Sequence, residues 1–274
     1  MFNLTTDNQN SPVVVLAIGG FDPSSGAGVT ADLKTIAAHH LYGVACVTAL
    51  TVQSTQGVRR FETVGPRLVR ETLEALVEDT KPAAVKVGML GTGSVAAEVA
   101  EFLRTSPQPN VVLDPVLESS SGATLLDDSG VQVLRTDLLR LADMVTPNVP
   151  EGSKFTGIAV RDLESMKAAC RSLIDSGARN VVVKGGHLPE PTDLLAERQG
   201  NGEIAFRVYP GKRLETGNTH GTGCAFSTAL ACNLAVGKSL GDAVLAAKNY
   251  VAGALGTAYS VGKAVGPVNH FFSD

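Results

Sequence analysis

Short runs of uninterrupted apolar residues alternate along this chain with longer runs of helical period. "PVVVLAIGG" is apolar until glycines end it, and "GAGVTADLKTIAAHH" then repeats apolar positions three and four residues apart. The alternation continues. "GVACVTAL", "AAVKVGML", "PNVVLDPV", "DMVTPN" and "RNVVVKGG" read as strands. Between them "PRLVRETLEALVEDT", "GSVAAEVAEFLRTS", "GVQVLRTDLLRLA" and "RDLESMKAACRSLIDSG" read as helices. Strands that are apolar at every position, not every second one, are expected where both sheet faces are covered. The pattern therefore predicts an α/β fold, a three-layer α/β/α sandwich with a central, mostly parallel sheet.

The last third breaks the pattern. "TDLLAERQ" and "EIAFRVYP" alternate apolar and polar positions and meet through "GNG", which predicts an edge hairpin. Two long helical runs follow, Gly221 to about Val236 and Leu240 to about Tyr259. No internal repeat, low-complexity segment or linker interrupts residues 13–274, so one domain is expected there. The polar stretch over residues 1–12 reads as a disordered or frayed leader.

Composition narrows the setting. A chain of 274 residues with 44% hydrophobic and 18% charged residues can bury a substantial core. A net charge of -4 gives no electrostatic reason to expect nucleic acid or an anionic membrane as partner. No apolar run approaches the roughly 20 residues that span a bilayer, and the N-terminus lacks the basic and apolar regions of a signal peptide. The four cysteines, Cys46, Cys170, Cys224 and Cys232, show neither C-x-x-C pairing nor zinc spacing. All of this favours a reducing, cytoplasmic compartment.

Candidate chemistry collects where strands end and helices begin, the edge at which open α/β sheets bind ligands. "GGFDPSSGAG" (Gly19 to Gly28) is too long for a dinucleotide fingerprint; it is either a structural turn or a ligand loop. Asp32 follows in the first turns of the next helix, where a carboxylate also suits the helix dipole. "TPNVPE" sets Asn148 and Glu151 three apart, which suits a helix cap or a hydrated Mg²⁺ site equally. Lys184 ends an apolar strand, a costly place for a charge unless it meets an anion. "NTHGTGC" is the most specific stretch. Gly221 and Gly223 let the backbone approach an anion, and the helix beginning there supplies free amides. His220 reads as a structural hydrogen-bonder.

Taken in order, "IGGFDPSSGAGVTADLKT", "VTALTVQSTQGV", "VKVGML", "LDPV", "TPNVPE", "VVVKGGHL", "NTHGTGC" and "GPVNHFF" resemble the ribokinase-like small-molecule kinases. More narrowly they resemble the hydroxymethylpyrimidine/phosphomethylpyrimidine kinases of thiamine biosynthesis, over nearly the whole chain from Val13 to Phe272. The resemblance implies a pyrimidine pocket of Gly20, Asp32, Gln53, Met89 and Val116. It implies that Asp114 and Glu151 hold Mg²⁺ through water, and that Asp114, Asn148, Lys184, Thr219, Gly221, Thr222 and Gly223 surround ATP and its phosphates. Gly221, Gly223, Lys184 and Cys224 would be the catalytic set, with Cys224 a modest base or positioner and not a nucleophile. ATP and Mg²⁺ are the implied cofactors, and a homodimer the implied assembly.

One stretch departs from that pattern. Many members carry a Lys before a Ser-Gly in a flap over the site, whereas "LESSSG" places Ser120 there with Glu118 two residues earlier. This bears on the second phosphorylation, whose acceptor is already anionic. A pyridoxal-type kinase is the nearest alternative, because some end the motif on Cys, although those commonly add a flap Cys that is absent here. A ligand-sensing protein on an inactive scaffold is the alternative from another class; the intact Asp114, Asn148, Glu151 and Lys184 argue against it.

Overall fold

The computed structural model describes residues 11–272. The leader expected over residues 1–12 falls almost wholly outside them. Nine strands form one sheet: β1 (Val14–Phe21), β2 (Tyr42–Ser54), β3 (Gly57–Thr63), β4 (Ala84–Val87), β5 (Val111–Leu113), β6 (Met144–Val145), β7 (Asn180–Val183), β8 (Thr192–Arg198) and β9 (Ile204–Pro210). Their order is β3-β2-β1-β4-β5-β6-β7-β8-β9. The central strands β2, β1, β4, β5, β6 and β7 pair in parallel, and the pairs β2/β3, β7/β8 and β8/β9 are antiparallel.

The uninterrupted apolar strands are explained by their alternation between two cores. Leu16, Ile18, Val85, Val87, Val111, Leu113, Val181 and Val183 face one cluster. Their neighbours Val15, Ala17, Ala84, Val112 and Val182 face the other. The first cluster is closed by α2 (Pro66–Thr80), α3 (Gly93–Thr105) and α7 (Leu163–Asp175), together with the helical run from α4 (Asp128–Val133) through a π-helical turn at Leu134–Leu138 into α5 (Leu139–Leu141). The second is closed by α1 (Gly28–Ala38), α8 (Thr222–Ala235) and α9 (Leu240–Gly256). Short α6 (Val149–Thr156) follows β6. Among the described residues no helix is long and apolar enough to cross a membrane.

Two features differ from the sequence pattern. The strand expected at "GVACVTAL" continues to Ser54 and folds back as β3, so the sheet has a hairpin at each edge. Past Leu50 the residues alternate in burial, as one-sided strands do, and the apolar-run criterion misses them. The final helix ends at Gly256, three residues before the expected end at Tyr259.

This order sets the site. β1 is paired with β2 on one side and β4 on the other, so the chain's crossovers diverge at β1. The carboxyl ends of β1 and β4 therefore flank a crevice of the kind that binds ligands.

Candidate active site

A cavity of about 780 Å³ opens along the carboxyl edge of the sheet, within the usual range for small-molecule sites. Of the residues expected to contact ligands, Gly20, Gln53, Met89, Asp114, Val116, Asn148, Glu151, Lys184, Thr219, Gly221, Thr222, Gly223 and Cys224 all line it. Asp32 does not.

At the phosphate end, Lys184 closes β7 and donates from Nζ to Asp114 Oδ1 at 2.7 Å. Asp114 also accepts from Thr146 and from Ser227, each at 3.2 Å. Burial works against the charge of Lys184, but Asp114 and Glu151 outweigh it and hold its ammonium group above the ordinary lysine range. Gly223 sits against this pair: a Cβ there would lie 3.4 Å from Lys184 Nζ and 3.9 Å from Asp114 Oδ2. The first turn of α8 thus presents backbone amides beside a half-buried cation, a ready anion site.

Gly221 is the N-cap of α8, with φ +84. A side chain there would be strained and would collide with the Gly26 carbonyl, so the first loop and the motif close on each other only through glycine. Cys224, one turn in, is partly buried. Burial pushes its thiol up to about 11 against the pull of Lys86, so it is protonated at neutral pH.

Asn148 caps α6 in a capping box. Its side chain accepts from Glu151 N at 2.8 Å, and Glu151 Oε2 accepts from Asn148 N at 2.8 Å. Of the two readings left open by spacing, the helix cap is the one this geometry shows. Burial pushes the Glu151 carboxyl up to about 7, with Lys184 opposing and Asp114 adding to the rise. A carboxylate held there against its own burial would be relieved by a divalent cation. Among the described residues no group of three or more His, Cys, Asp or Glu side chains could hold a metal. The donor set fits a hydrated Mg²⁺ borne mainly on nucleotide phosphates, which needs only one or two carboxylates.

At the other end Gly20 and Met89 touch: a Cβ on Gly20 would come 2.6 Å from Met89 Sδ. Met89 packs with Ala49 and Leu125, and Val116, Val58 and Phe61 pack against them. Gln53 faces this apolar patch from β2 and lies 3.2 Å from His220. The expected acceptor residue Asp32 requires correction. It is 0% exposed, and its carboxylate is held by Lys86 at 2.8 and 3.1 Å and by Thr228 at 2.7 Å. A carboxylate so enclosed supports the cavity floor from behind and has no open path to a ligand.

Lys86 was missed from the sequence, yet it lines the cavity and forms this ion pair. Its signal was the same as that of Lys184, a lone Lys in an apolar strand. Asp22 was missed as well. Burial opposes its charge, but bonds from His220 and Ser24 outweigh burial and hold its carboxyl below the usual range. The loop over the cavity is pinned by a Glu118–Thr124 bridge, and Lys154 of α6 reaches Glu118 at 3.1 Å. The flap without a lysine at Ser120 is therefore met by one from α6.

A parallel sheet with ligand residues at its carboxyl edge, a glycine-cradled helix N-terminus and a buried Lys–Asp pair beside it define a small-molecule phosphotransferase of the ribokinase-like class. The phosphomethylpyrimidine kinase family profile matches residues 22–269, and the chain belongs to that family. It is 39% identical over 258 residues to the hydroxymethylpyrimidine/phosphomethylpyrimidine kinase of Haemophilus influenzae, covering 94% of this chain and 96% of that protein. It is 41% identical to the thiamine biosynthesis bifunctional protein ThiED of Geobacter sulfurreducens, covering 94% of this chain but only 52% of that longer protein. Among solved structures, phosphomethylpyrimidine kinase from Clostridium difficile matches with 35% identity and a TM-score of 0.77, covering 88% of this chain and 98% of that one. The Bacillus subtilis pyridoxal kinase–ADP complex matches with 30% identity and a TM-score of 0.85, covering 95% and 98%.

Proposed function

We infer that this protein transfers the γ-phosphoryl group of ATP to the 5-hydroxymethyl group of 4-amino-5-hydroxymethyl-2-methylpyrimidine, and then phosphorylates the monophosphate to the diphosphate, in thiamine biosynthesis. The observation that carries the reading is one cavity with two chemically distinct ends. An apolar patch with a single amide, Gln53, suits an aminopyrimidine, and the α8 N-terminus beside Lys184 suits phosphate.

Phosphoryl transfer passes through a loose transition state, so positioning and charge neutralisation dominate catalysis. Lys184 and the amides of Gly221–Cys224 neutralise oxygens of the moving group. Asp114 keeps Lys184 charged and aimed. Mg²⁺, carried with the nucleotide near Asp114 and Glu151, would supply further neutralisation of phosphate charge. Asn148, Thr219 and Thr222 complete the phosphate and nucleotide contacts. Gly20, Met89 and Val116 enclose the acceptor ring, while Gln53 pairs with its polar edge. Cys224 packs beside the reacting hydroxyl as a neutral thiol. Lys154 offers the monophosphate acceptor a cation once it parts from Glu118.

A pyridoxal-type acceptor is favoured by one finding: pyridoxal kinases superpose on this chain with TM-scores of 0.85 and 0.87, above the 0.77 of the phosphomethylpyrimidine kinase. Measuring ATP consumption with the aminopyrimidine alcohol, its monophosphate and pyridoxal separates the cases. The alcohol is expected to turn over fastest. Binding of the alcohol without turnover would overturn the kinase reading in favour of a ligand-sensing scaffold.

One catalytic domain over residues 13–274, a cytoplasmic location and a homodimer complete the proposal. Four free cysteines support the location. Leu50 and Val52, exposed on β2 at the sheet's edge hairpin, are apolar surface that a second copy would cover.

A further inference from the structure

His220 Nε2 lies 2.9 Å from Asp22 Oδ2 and 3.2 Å from the Gln53 amide. The structure draws Gln53 with Nε2 toward His220 and with Oε1 3.1 Å from Thr51 Oγ1, which is itself 3.0 Å from the Phe21 carbonyl oxygen. These four contacts form one chain of hydrogen bonds ending on a carboxylate and on a carbonyl, both of which can only accept. Counting protons along it leaves a single solution.

Asp22 is a carboxylate whose two oxygens already receive the amides of Ser24, Gly26 and Ala27 and the Ser24 hydroxyl. His220 must therefore carry its proton on Nε2, because a bare ring nitrogen 2.9 Å from that oxygen would set lone pair against charge. An Nε2–H cannot accept from an amide NH₂, so the Gln53 end beside it is the carbonyl oxygen, which shares that proton. The Gln53 NH₂ then faces Thr51 Oγ1 and donates to it. The single hydroxyl hydrogen of Thr51 is free to go to the Phe21 carbonyl. The orientation drawn in the structure, with Nε2 toward His220 and Oε1 toward Thr51, aims NH₂ at an N–H; turning the amide over, which exchanges two atoms of like size, removes that conflict.

We propose that Asp22 and His220 are positioning residues that lock the Gln53 amide in one orientation and thereby fix which edge of an acceptor ring the enzyme accepts. Locked this way, Gln53 retains one N–H and one carbonyl lone pair for a ligand, in a set order. That order matches a ring that offers an amino N–H beside a bare ring nitrogen. It mismatches the 4-oxo analogue, in which the donor and the acceptor exchange places. A site whose polar groups are left unpaired by the wrong partner discriminates strongly, whereas an amide free to turn over discriminates little. Gly26 is part of the device, because a side chain there would strike the His220 ring.

The inference rests on the proposal that Gln53 contacts the acceptor, and a double-mutant cycle separates the two. Steady-state constants for the aminopyrimidine alcohol, its 4-oxo analogue and ATP are measured for the wild type, Gln53→Ala, His220→Ala, His220→Gln and the Gln53→Ala/His220→Ala pair. His220→Ala is expected to raise the acceptor KM about tenfold, leave the ATP KM within about twofold, and shrink the amino-over-oxo preference about tenfold. His220→Gln, which can place an amide N–H near the lost Nε2–H, is expected to restore most of that preference. In the Gln53→Ala background the His220→Ala change should add less than twofold to acceptor KM. An unchanged acceptor KM in Gln53→Ala would sink the proposed acceptor contact itself. If Gln53→Ala weakens the acceptor but His220→Ala adds its full effect on top, or leaves the amino-over-oxo ratio intact, His220 acts by another route and the inference is overturned.

Discussion

The Lys86–Asp32 pair permits a sharp test, because both side chains are essentially sealed, at 1% and 0% exposure. Replacing Lys86 by Met keeps the length and apolar stem of the side chain but removes its charge. Asp32 then retains one side-chain donor, Thr228, where it had Lys86 on both oxygens as well. Burial already pushes the Asp32 carboxyl up, against the pull of Lys86 and Thr228. Breaking a buried pair from one side costs about 3–5 kcal/mol, against about 5–15 kcal/mol for the whole stability of an ordinary domain. With an m-value on the order of 3 kcal/mol/M, the urea midpoint should fall by roughly 1–1.7 M. The Lys86→Met/Asp32→Leu double variant removes both charges, and should recover at least ~2 kcal/mol of that loss, because apolar replacement of a buried pair is often close to neutral. Urea unfolding followed by circular dichroism measures the wild type, Lys86→Met, Asp32→Leu and the double variant. A loss under ~1 kcal/mol in Lys86→Met, or a double variant as unstable as the sum of the singles, would refute the reasoning.

Three further outcomes are expected. Because Cys224 stays a thiol to about pH 11, Cys224→Ser should retain most of kcat, and the pH–rate profiles of the two proteins should overlay from pH 7 to 9; a wild-type inflection in that range absent from the variant would restore the base role. Glu151, raised to about 7, must lose its proton before it can aid a cation, so the Mg²⁺ needed for half-maximal rate should climb as pH falls below 7, by about fivefold between pH 7 and pH 6. Glu151→Gln should flatten that climb, and an unchanged slope would remove Glu151 from the metal site. His270 is 2% exposed, and burial, helped by Lys34, lowers its pKa from 6.5 to about 4. Above pH 6.5 neither folded nor unfolded chain protonates it; between 6.5 and about 4 only the unfolded chain does. Stability should therefore fall as pH drops through that window, by ~1.4 kcal/mol per unit and on the order of 3 kcal/mol in all. His270→Asn should show a shallower fall in urea titrations at pH 7, 6 and 5, and identical slopes would falsify the assignment.

How much of this was legible depended on whether a residue's neighbours lie close in sequence. Strands and helices were readable because their periods are local, and so was the α8 motif, whose glycines and helix start are contiguous. Asn148 and Glu151 were readable as a pair for the same reason, although spacing alone could not choose between cap and metal site. Asp32 was misplaced because its true partners are remote. Lys86 stands 54 positions away and Thr228 196, and only the fold shows that they engage both of its oxygens. The Asp22–His220 contact spans 198 positions, and no local pattern announces it. Lys154 likewise meets Glu118 across 36 positions, which is why the flap looked simply deficient in positive charge.

The remote contacts also explain a helix whose composition otherwise says little. α8 has almost no polar face: Ala225 through Asn233 are all buried. A helix surrounded by apolar contacts of similar quality could rotate or slide at small cost, and the amides of Gly221–Cys224 would move with it. Two consecutive hydroxyls prevent this. Ser227 Oγ reaches Asp114 Oδ2 at 3.2 Å while also meeting the Gly223 and Cys224 carbonyls at 3.1 Å, and Thr228 donates to Asp32 of the buried Lys86 pair at 2.7 Å. Successive helix residues point about 100° apart, so the two bonds hold the helix from two directions against carboxylates fixed by α1 and by the end of β5. A slide of one residue would break both contacts, and the loss at buried Asp32 alone is ~1.5–3 kcal/mol. The anion cradle is therefore placed less by its own glycines than by the residues a turn below it, where the two ion pairs grip the helix.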